Sequence, residues 1–303
     1  MNCDLTKLET ERRNPETMDL DVMSALEIAT VMNKEDAQVL SAIQNQLPQI
    51  AAAIDLCSAT YQNGGRLVYL GAGSSGRYAV VDAVECRPTF GVEKKTFTAL
   101  LAGGHKAIWN SVEGAEDSAT FAEKDLKKAK LNNRDVLIGL TASGRTPYVL
   151  AGMRLAKTLG VKTIGISCTK ADLISELSDI AINLFCGPEI LTGSTRLKCG
   201  TAEKLVLNMI STGTMVRSGK VYQNLMVDVI QSNEKLHARA ENIVMEATGC
   251  SSALANRKLA EANGYCKVAI VSILLRCTVK EARRALKQNG GFVRKAVLNE
   301  KTK

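Results

Sequence analysis

Residues 66–77 read RLVYLGAGSSGR, a short apolar run that leads directly into a turn rich in glycine and serine. A helical pattern follows at 75–86, so this stretch predicts a strand, a tight turn and a helix in that order. Glycines allow the tight turn, and the amide groups at a helix start can bind an anion. The stretch therefore predicts an α/β fold with a ligand site at the end of its first strand.

The same alternation continues along the chain. Further apolar runs lie at 96–101, 135–140, 162–167 and 179–185, and helical patterns lie between them at about 104–129, 146–159 and 171–177. Continuous apolar strands that alternate with helices are typical of a parallel sheet covered on both faces. We therefore predict an α/β fold, a three-layer sandwich built on a parallel sheet, over residues 61–220.

Helical segments flank this predicted domain. Residues 1–60 are predicted to form a polar arm over 1–21, either flexible or clasping a partner, and then helices, with a break at 33–36 and another at Pro48. Residues 221–249 are predicted to hold a connecting helix. Residues 250–303 are predicted to form a small module of three short helices, one of which opens with a capping box from Thr278 to Glu281.

Composition restricts the class of protein. Of the 303 residues, 46% are hydrophobic and 23% charged, as in ordinary globular chains. No apolar run reaches the roughly 18–20 residues that a membrane span needs, and the chain does not start like a signal peptide. Nine cysteines without a Cys-x-x-Cys pair, and only two histidines, disfavour disulfides and zinc sites. We expect a cytoplasmic protein with reduced thiols, no metal and no membrane partner.

The net charge of +8 raises the question of nucleic acid. Much of the excess lies at the chain ends and on the C-terminal helices, and no aromatic residues interleave with it. We therefore expect a solvated basic surface that attracts small anions, with no nucleic-acid partner.

The first turn formally matches the Gly-x-Gly-x-x-Gly dinucleotide fingerprint. That fingerprint also needs an acid at the end of the second strand, but the chain has Ala-Gly-Gly at 102–104. The hydroxyls of Ser74 and Ser75, together with helix-start amides, suit a terminal phosphate better. The alternative is a glycine turn in which Ser74 or Ser75 serves only as the helix N-cap.

A second hydroxyl-rich turn follows the third predicted strand. Residues 141–147 read TASGRTP, in which Pro147 suits a first helical turn and Thr146 its cap. Thr141, Ser143 and Thr146 should therefore lie at the carboxyl end of that strand. Because parallel strands end at the same edge of the sheet, both turns could converge on one phosphate.

The chain resembles a known family at this point. The matching stretches are YLGAGSSGR at 69–77, DAVEC at 82–86, PTFGV at 88–92, VEGAED at 112–117, ASGRTPY at 142–148, LTGSTRLK at 191–198 and NLMVDV at 224–229. They are similar to the N-acetylmuramic acid 6-phosphate etherases, which carry the sugar isomerase (SIS) domain. The resemblance extends from about residue 10 to the C-terminal module.

This resemblance implies an SIS-type sandwich and a lyase of cell-wall sugar recycling. Such enzymes cleave the lactyl ether of a small phosphorylated amino sugar by elimination and then hydration, without metal or organic cofactor. It also implies that Glu85 protonates the leaving oxygen and that Glu116 is the second acid–base group. Its phosphate ligands would be Ser75, Ser143 and Thr146, with Ser74 close behind. A homodimer is expected because SIS domains commonly pair.

Several features stay open at the sequence level. We expect the apolar neighbours Val84 and Cys86 to favour the protonated form of Glu85, whereas Arg87, where the family pattern has proline, could oppose it. Both acids could instead be ordinary surface carboxylates.

Other candidate residues and functions are also open. His237 and Lys235 could reach a site, and the basic run at 196–198 could attract the phosphate or form a solvated turn. The alternative functions are a phosphosugar sensor like the glucokinase regulatory protein, an aldose–ketose isomerase, and an SIS transcriptional regulator. The last would need a DNA-reading helix that 1–60 lacks.

Overall fold

The computed structural model describes residues 9–170, 173–230 and 234–301. The chain divides into two compact units. Unit 1 comprises the chain up to Ala83 together with Lys95–Ser211, and unit 2 comprises Val84–Lys94 together with the chain from Thr212 onward.

Unit 1 is built on a parallel five-stranded sheet. Its strands are β1 Leu67–Gly71, β2 Phe97–Leu101, β3 Val136–Leu140, β4 Lys162–Ser167 and β5 Ile180–Asn183, in the order β2-β1-β3-β4-β5. Every residue of β1 and β3 is buried, which is why these strands are continuous apolar runs with no alternation. Each strand predicted from the sequence is present, and the α/β fold class is confirmed.

The helices that begin in unit 1 are α1 Ala25–Gln44, α2 Leu47–Gln62, α3 Gly73–Phe90, α4 Lys106–Trp109, α5 Ala119–Lys128, α6 Pro147–Thr158, α7 Leu173–Glu176 and α8 Lys198–Arg217. One part of the core lies where α5 and α6 cover β1 and β3, with Leu126, Val149 and Met153 fully buried. Burial of such side chains contributes roughly 1.5–3 kcal/mol each, so this layer is a main source of the sheet's stability.

The N-terminal segment differs from its prediction. Helix α1 runs without interruption through 33–36, because Glu35 in this polar stretch is buried and accepts hydrogen bonds from Lys198 and Asn14. Residues 9–22 form short 3₁₀ turns in which Thr17 donates to the carbonyl of Ile190 at 2.9 Å. The expected break is therefore wrong, and residues 9–21 are folded where the flexible alternative for the arm was expected; residues 1–8 lie outside the described chain.

Unit 2 is helical. Its helices are α9 Glu234–Thr248, α10 Ser252–Glu261, α11 Cys266–Leu274, α12 Val279–Gln288 and α13 Val293–Lys301. Helices α9 to α13 share one apolar core, and the capping box between Thr278 and Glu281 is present. Four helices follow residue 250 where three were expected, because α11 is buried over most of its length and shows little amphipathic pattern.

Across the described ranges, no helix combines the length and the apolar character that crossing a bilayer requires. Among the same residues, no group of three or more His, Cys, Asp and Glu side chains is placed to hold a metal ion.

Candidate active site

The two hydroxyl-rich turns leave the sheet side by side. Gly71 at the end of β1 is paired with Leu140 at the end of β3, so the turns at 72–76 and 141–146 start from adjacent strands. In the order β2-β1-β3-β4-β5, the chain reverses its direction of winding between β1 and β3. This reversal point is where ligands bind in open α/β sheets.

Glycines set the shape of the first turn. Gly73 has a φ of +53°, in the left-handed region, and opens α3. A Cβ on Gly76 would lie 2.4 Å from Cδ1 of Leu101 and 2.8 Å from the backbone of Gly71. The turn therefore holds the start of α3 tightly against the strand ends, with its first-turn amides at the sheet edge.

The two serines of this turn have different surroundings. Since α3 begins at Gly73, both serines lie inside its first turn, and the interpretation in which they are only N-caps is wrong. Ser74 is half-buried, and the structure records no hydrogen bond of its hydroxyl to a described residue. Ser75 is buried, and its hydroxyl donates to Oε1 of Glu203 on α8 at 2.9 Å. Of the two hydroxyls, that of Ser74 has no hydrogen-bond partner among the described residues.

The second turn gathers three hydroxyls. Oγ1 of Thr141 lies 2.7 Å from Oγ1 of Thr146 and 3.4 Å from Oγ of Ser143. Thr146 occupies the N-cap position of α6 without capping it through its side chain, and Pro147 is in the first turn, as predicted. The cluster is thus a compact set of donors and acceptors beside a helix start.

Glu116 stands between the two turns. The backbone N–H of Tyr148, in the first turn of α6, donates to the carbonyl oxygen of Glu116 at 2.9 Å. The same residue lines a cavity of about 210 Å³ together with Ala72 and Gly73 of the first turn. Its side chain is exposed. The structure therefore places the main chain of Glu116 against the start of α6 and the residue beside the first turn.

Arg77 fixes another wall of this cavity. Its Nε donates to the carbonyl oxygens of Ala107 and Ile108 at 3.0 and 3.1 Å, which ties α4 to the start of α3. The guanidinium is therefore engaged in holding the segment that follows β2.

Glu85 lies further along α3 than the first turn. It lies on α3 eleven residues after Ser74, which in a regular helix is about 16 Å along the axis. Its side chain is exposed, and Val84 is 62% exposed. The expected apolar surroundings of Glu85 are therefore wrong: Cys86 is buried, but Glu85 and Arg87 on either side of it are exposed.

In the basic run at 196–198, Lys198 is not available to a phosphate, whereas Arg196 is exposed. Lys198 is buried and pairs with Glu35. Glu189, also buried, accepts hydrogen bonds from the first two amides of α8, at 3.0 and 2.9 Å. The start of α8 is therefore already occupied by a carboxylate. His237 is exposed on α9, and the side chain of Lys235 lies outside the described residues.

Sequence reasoning missed Glu203. Burial raises the pKa of Glu203 to about 8, although the hydrogen bond from Ser75 works in the opposite direction. A signal was available, because Glu203 lies on the same helical stripe as Val206 and Ile210, both fully buried. An acid on the apolar face of a helix is a candidate for a shifted pKa and for a role in a functional site.

Comparison with known proteins agrees with this geometry. The chain is 49% identical to an N-acetylmuramic acid 6-phosphate etherase of Pasteurella multocida strain Pm70, over 96% of each chain. It is 51% identical to the protein of the same name from Geobacillus sp. strain WCH70, over 97% of this chain and 99% of that one. The chain belongs to the N-acetylmuramic acid 6-phosphate etherase family. The resemblance predicted from the sequence motifs is thereby confirmed.

Domain models and a solved structure show the SIS fold. Residues 49–157 match the glucokinase regulatory protein N-terminal SIS domain, and 116–210 match the SIS domain. The c3406 protein of Escherichia coli CFT073, solved as a complex, superposes with a TM-score of 0.50 at 15% identity, covering 67% of this chain and 97% of that chain. At that identity the likeness concerns the fold alone, which is the SIS fold predicted from the sequence.

Proposed function

We propose that this protein cleaves the lactyl ether of N-acetylmuramic acid 6-phosphate to give N-acetylglucosamine 6-phosphate and D-lactate. The observation that carries this proposal is the position of Glu116. Its carbonyl accepts a hydrogen bond from the start of α6, and the residue lines a cavity with Ala72 and Gly73, which supports a role of its carboxylate beside the two hydroxyl-bearing turns. Membership of the etherase family supports the substrate.

In this proposal the sugar phosphate lies between the two turns. Ser74, Ser143 and Thr146 donate hydroxyl hydrogen bonds to it, and Ser75 joins them at the first turn of α3. The amides at the helix start add partial positive charge, which favours an anion. Fixing the phosphate holds the rest of the sugar against Glu116, and such positioning replaces a costly bimolecular encounter.

The chemistry is elimination followed by addition of water. The sugar opens to its aldehyde, which acidifies the C2 proton; a carboxylate removes that proton, and the lactyl oxygen leaves C3 with a proton from a carboxylic acid. Water then adds to C3 and the C2 proton is restored, so the net reaction consumes one water. Both proton transfers need general acid–base help, which we assign to Glu85, as the donor to the leaving oxygen, and to Glu116. We assign no metal or organic cofactor.

The position of Glu85 leads us to propose a homodimer. The 16 Å or so between Ser74 and Glu85 along α3 exceeds the length of one sugar ring, so a Glu85 from a second copy would have to complete each site. The exposed Val81 and Val84 flank Glu85 on the same helix, as expected of a surface that a partner covers. We further propose that this dimer works in the cytoplasm.

A lactate assay tests the reaction. The purified protein is incubated with N-acetylmuramic acid 6-phosphate in ¹⁸O-water, beside Glu85→Gln and Glu116→Gln variants. We expect D-lactate, with ¹⁸O in the sugar product, from the wild type, and at least roughly a hundredfold slower release from each variant. Binding of the phosphosugar without lactate would favour the regulatory alternative, which the match at 49–157 keeps in view. Isomerised sugar without lactate would favour an isomerase.

Mixing the two inactive variants tests the shared site. In a random mixture half of the dimers are mixed, and each mixed dimer would hold one fully wild-type site. We therefore expect about a quarter of the wild-type rate to return. If Glu85 and Glu116 act from the same chain, every site carries a substitution and no activity returns.

A further inference from the structure

We propose that Glu203 is a positioning residue for the phosphate of the ligand: in its neutral form it donates a hydrogen bond to Ser75, which leaves the hydroxyl proton of Ser75 free to donate to a phosphate oxygen. This inference rests on the phosphate site of the proposed function. Glu203 itself lies behind Ser75 and is assigned no contact with the substrate.

The geometry places Glu203 directly behind the first turn. Glu203 is 1% exposed and Ser75 8% exposed, and their oxygens are 2.9 Å apart. Helix α8 reaches this position because Gly200 lies against Tyr78 on α3, where a Cβ would come within 2.7 Å of the ring. A carboxyl group this enclosed acts on the phosphate only through Ser75.

A count of protons explains why the state of Glu203 matters. A serine hydroxyl has one proton to donate and two lone pairs that accept. When Glu203 is ionised, Ser75 must donate its proton to the carboxylate, and its oxygen then presents only lone pairs to a phosphate. When Glu203 is neutral, it becomes the donor, and Ser75 can pass a hydrogen bond on to the phosphate. The two states therefore give Ser75 opposite roles.

The surroundings of Glu203 favour the neutral state. Within the described residues no cation is paired with it, and burial raises its pKa to about 8. The thiols that face it are Cys168 at the end of β4 and Cys186 after β5. A hydrogen bond with Cys199 and burial raise the pKa of Cys168, and burial raises the pKa of Cys186 to about 12, so both thiols stay neutral.

The charged residues nearest to Glu203 along α3 and α8 do not oppose its neutral state. Asp82 on α3 is held by Tyr69 and Ser211, and burial raises the pKa of Asp82. Lys204, next to Glu203 in the chain, is exposed, and its charge lowers the pKa of Asp82. A bound phosphate dianion would add negative charge in front of Ser75 and so favour protonation of Glu203 further.

Calorimetric titration with N-acetylglucosamine 6-phosphate between about pH 7 and 9.5 tests this inference. A phosphate monoester is almost fully dianionic above about pH 7, so the ligand itself contributes little pH dependence there. For the wild type we expect affinity to fall by up to about tenfold per pH unit above about pH 8, with a proton taken up on binding. Proton uptake is obtained by repeating the titration in buffers of different ionisation enthalpy.

Variants separate positioning from structure. Glu203→Gln keeps a donor to Ser75 but cannot ionise, so its affinity should stay near the low-pH wild-type value at every pH, without proton uptake. Ser75→Ala should bind about tenfold more weakly at pH 7 and lose the pH dependence. Glu123→Gln, an exposed carboxylate on α5, serves as the matched control and should keep the wild-type profile.

Equal pH profiles for the wild type and Glu203→Gln would overturn the inference, as would binding without proton uptake at pH 8. The proposed reaction is judged separately by lactate release. A protein that shows this profile but releases no lactate would keep the role of Glu203 and lose the etherase proposal. A wild type that binds no phosphosugar at any pH would overturn both.

Discussion

Replacing Lys198 by methionine is expected to destabilise unit 1 by about 3–5 kcal/mol, the cost typical of removing one partner of a buried ion pair. Nζ of Lys198 lies 2.7 Å from Oε2 of Glu35, and the two side chains are 0% and 5% exposed. Methionine keeps the apolar stem but leaves Glu35 ionised without its cation. Asn14 and Gln38 still donate to Glu35, at 2.8 and 3.0 Å, so we expect the lower end of this range.

Urea denaturation at pH 7, followed by circular dichroism, measures this loss. The double variant Glu35→Gln/Lys198→Met removes the uncompensated charge and should regain most of the lost free energy of unfolding. Lys34→Met is the matched control, because its pair with Glu16 joins the same two residue types but has side chains that are 68% and 55% exposed; it should leave the free energy of unfolding nearly unchanged. A Lys198→Met protein as stable as the control, or a double variant no better than the single one, would refute the reasoning.

Three further outcomes follow from the structure. Burial raises the pKa of Glu203 to about 8, from 4.5 in the unfolded chain, so the contribution of neutral Glu203 to the free energy of unfolding is present below pH 4.5 and is lost as the pH rises to about 8. Urea denaturation at pH 6, 7 and 8 should therefore show the stability of the wild type falling relative to that of Glu203→Gln by up to about 1.4 kcal/mol per pH unit. Parallel stability curves for the two proteins would contradict this. Gly76→Ala forces a Cβ to within 2.4 Å of Leu101, so the turn must shift; we expect about 1–3 kcal/mol of destabilisation in the same assay. Thr141→Val removes the hydroxyl that joins Thr146 and Ser143, and calorimetry should show about tenfold weaker binding of N-acetylglucosamine 6-phosphate, with an unchanged affinity counting against the cluster.

The sheet was predictable because its signal is local. Strands β1 and β3 are short apolar runs buried at every residue, and the connections that contain α3, α5 and α6 each hold a helix of ten or more residues, long enough to show a helical period. The break expected at 33–36 failed for the opposite reason. Local composition there is polar, yet Glu35 finds its partner Lys198 far along the chain, which no local pattern reveals.

In the candidate site too, the features with a local sequence signal were predictable and the long-range contacts were not. The meeting of the two hydroxyl-rich turns follows from parallel strands, and Glu116 was reached through the family resemblance. The partner of Ser75 was out of reach, because Glu203 is 128 positions away in sequence.

In the proposed site, the hydrogen bond from the amide of Tyr148 to the carbonyl of Glu116 would couple phosphate binding to the reactivity of Glu116. Helix α6, whose first turn would receive the phosphate, also holds the main chain of the proposed base. An anion that pulled the start of α6 inward would therefore also move the carboxylate of Glu116. The phosphate would then raise the turnover rate as well as the affinity, because binding energy from a remote group of a substrate can be used at the reacting carbon. An unphosphorylated analogue would lose rate even at saturating concentration, and the 6-phosphate would act in part as an activator built into the substrate.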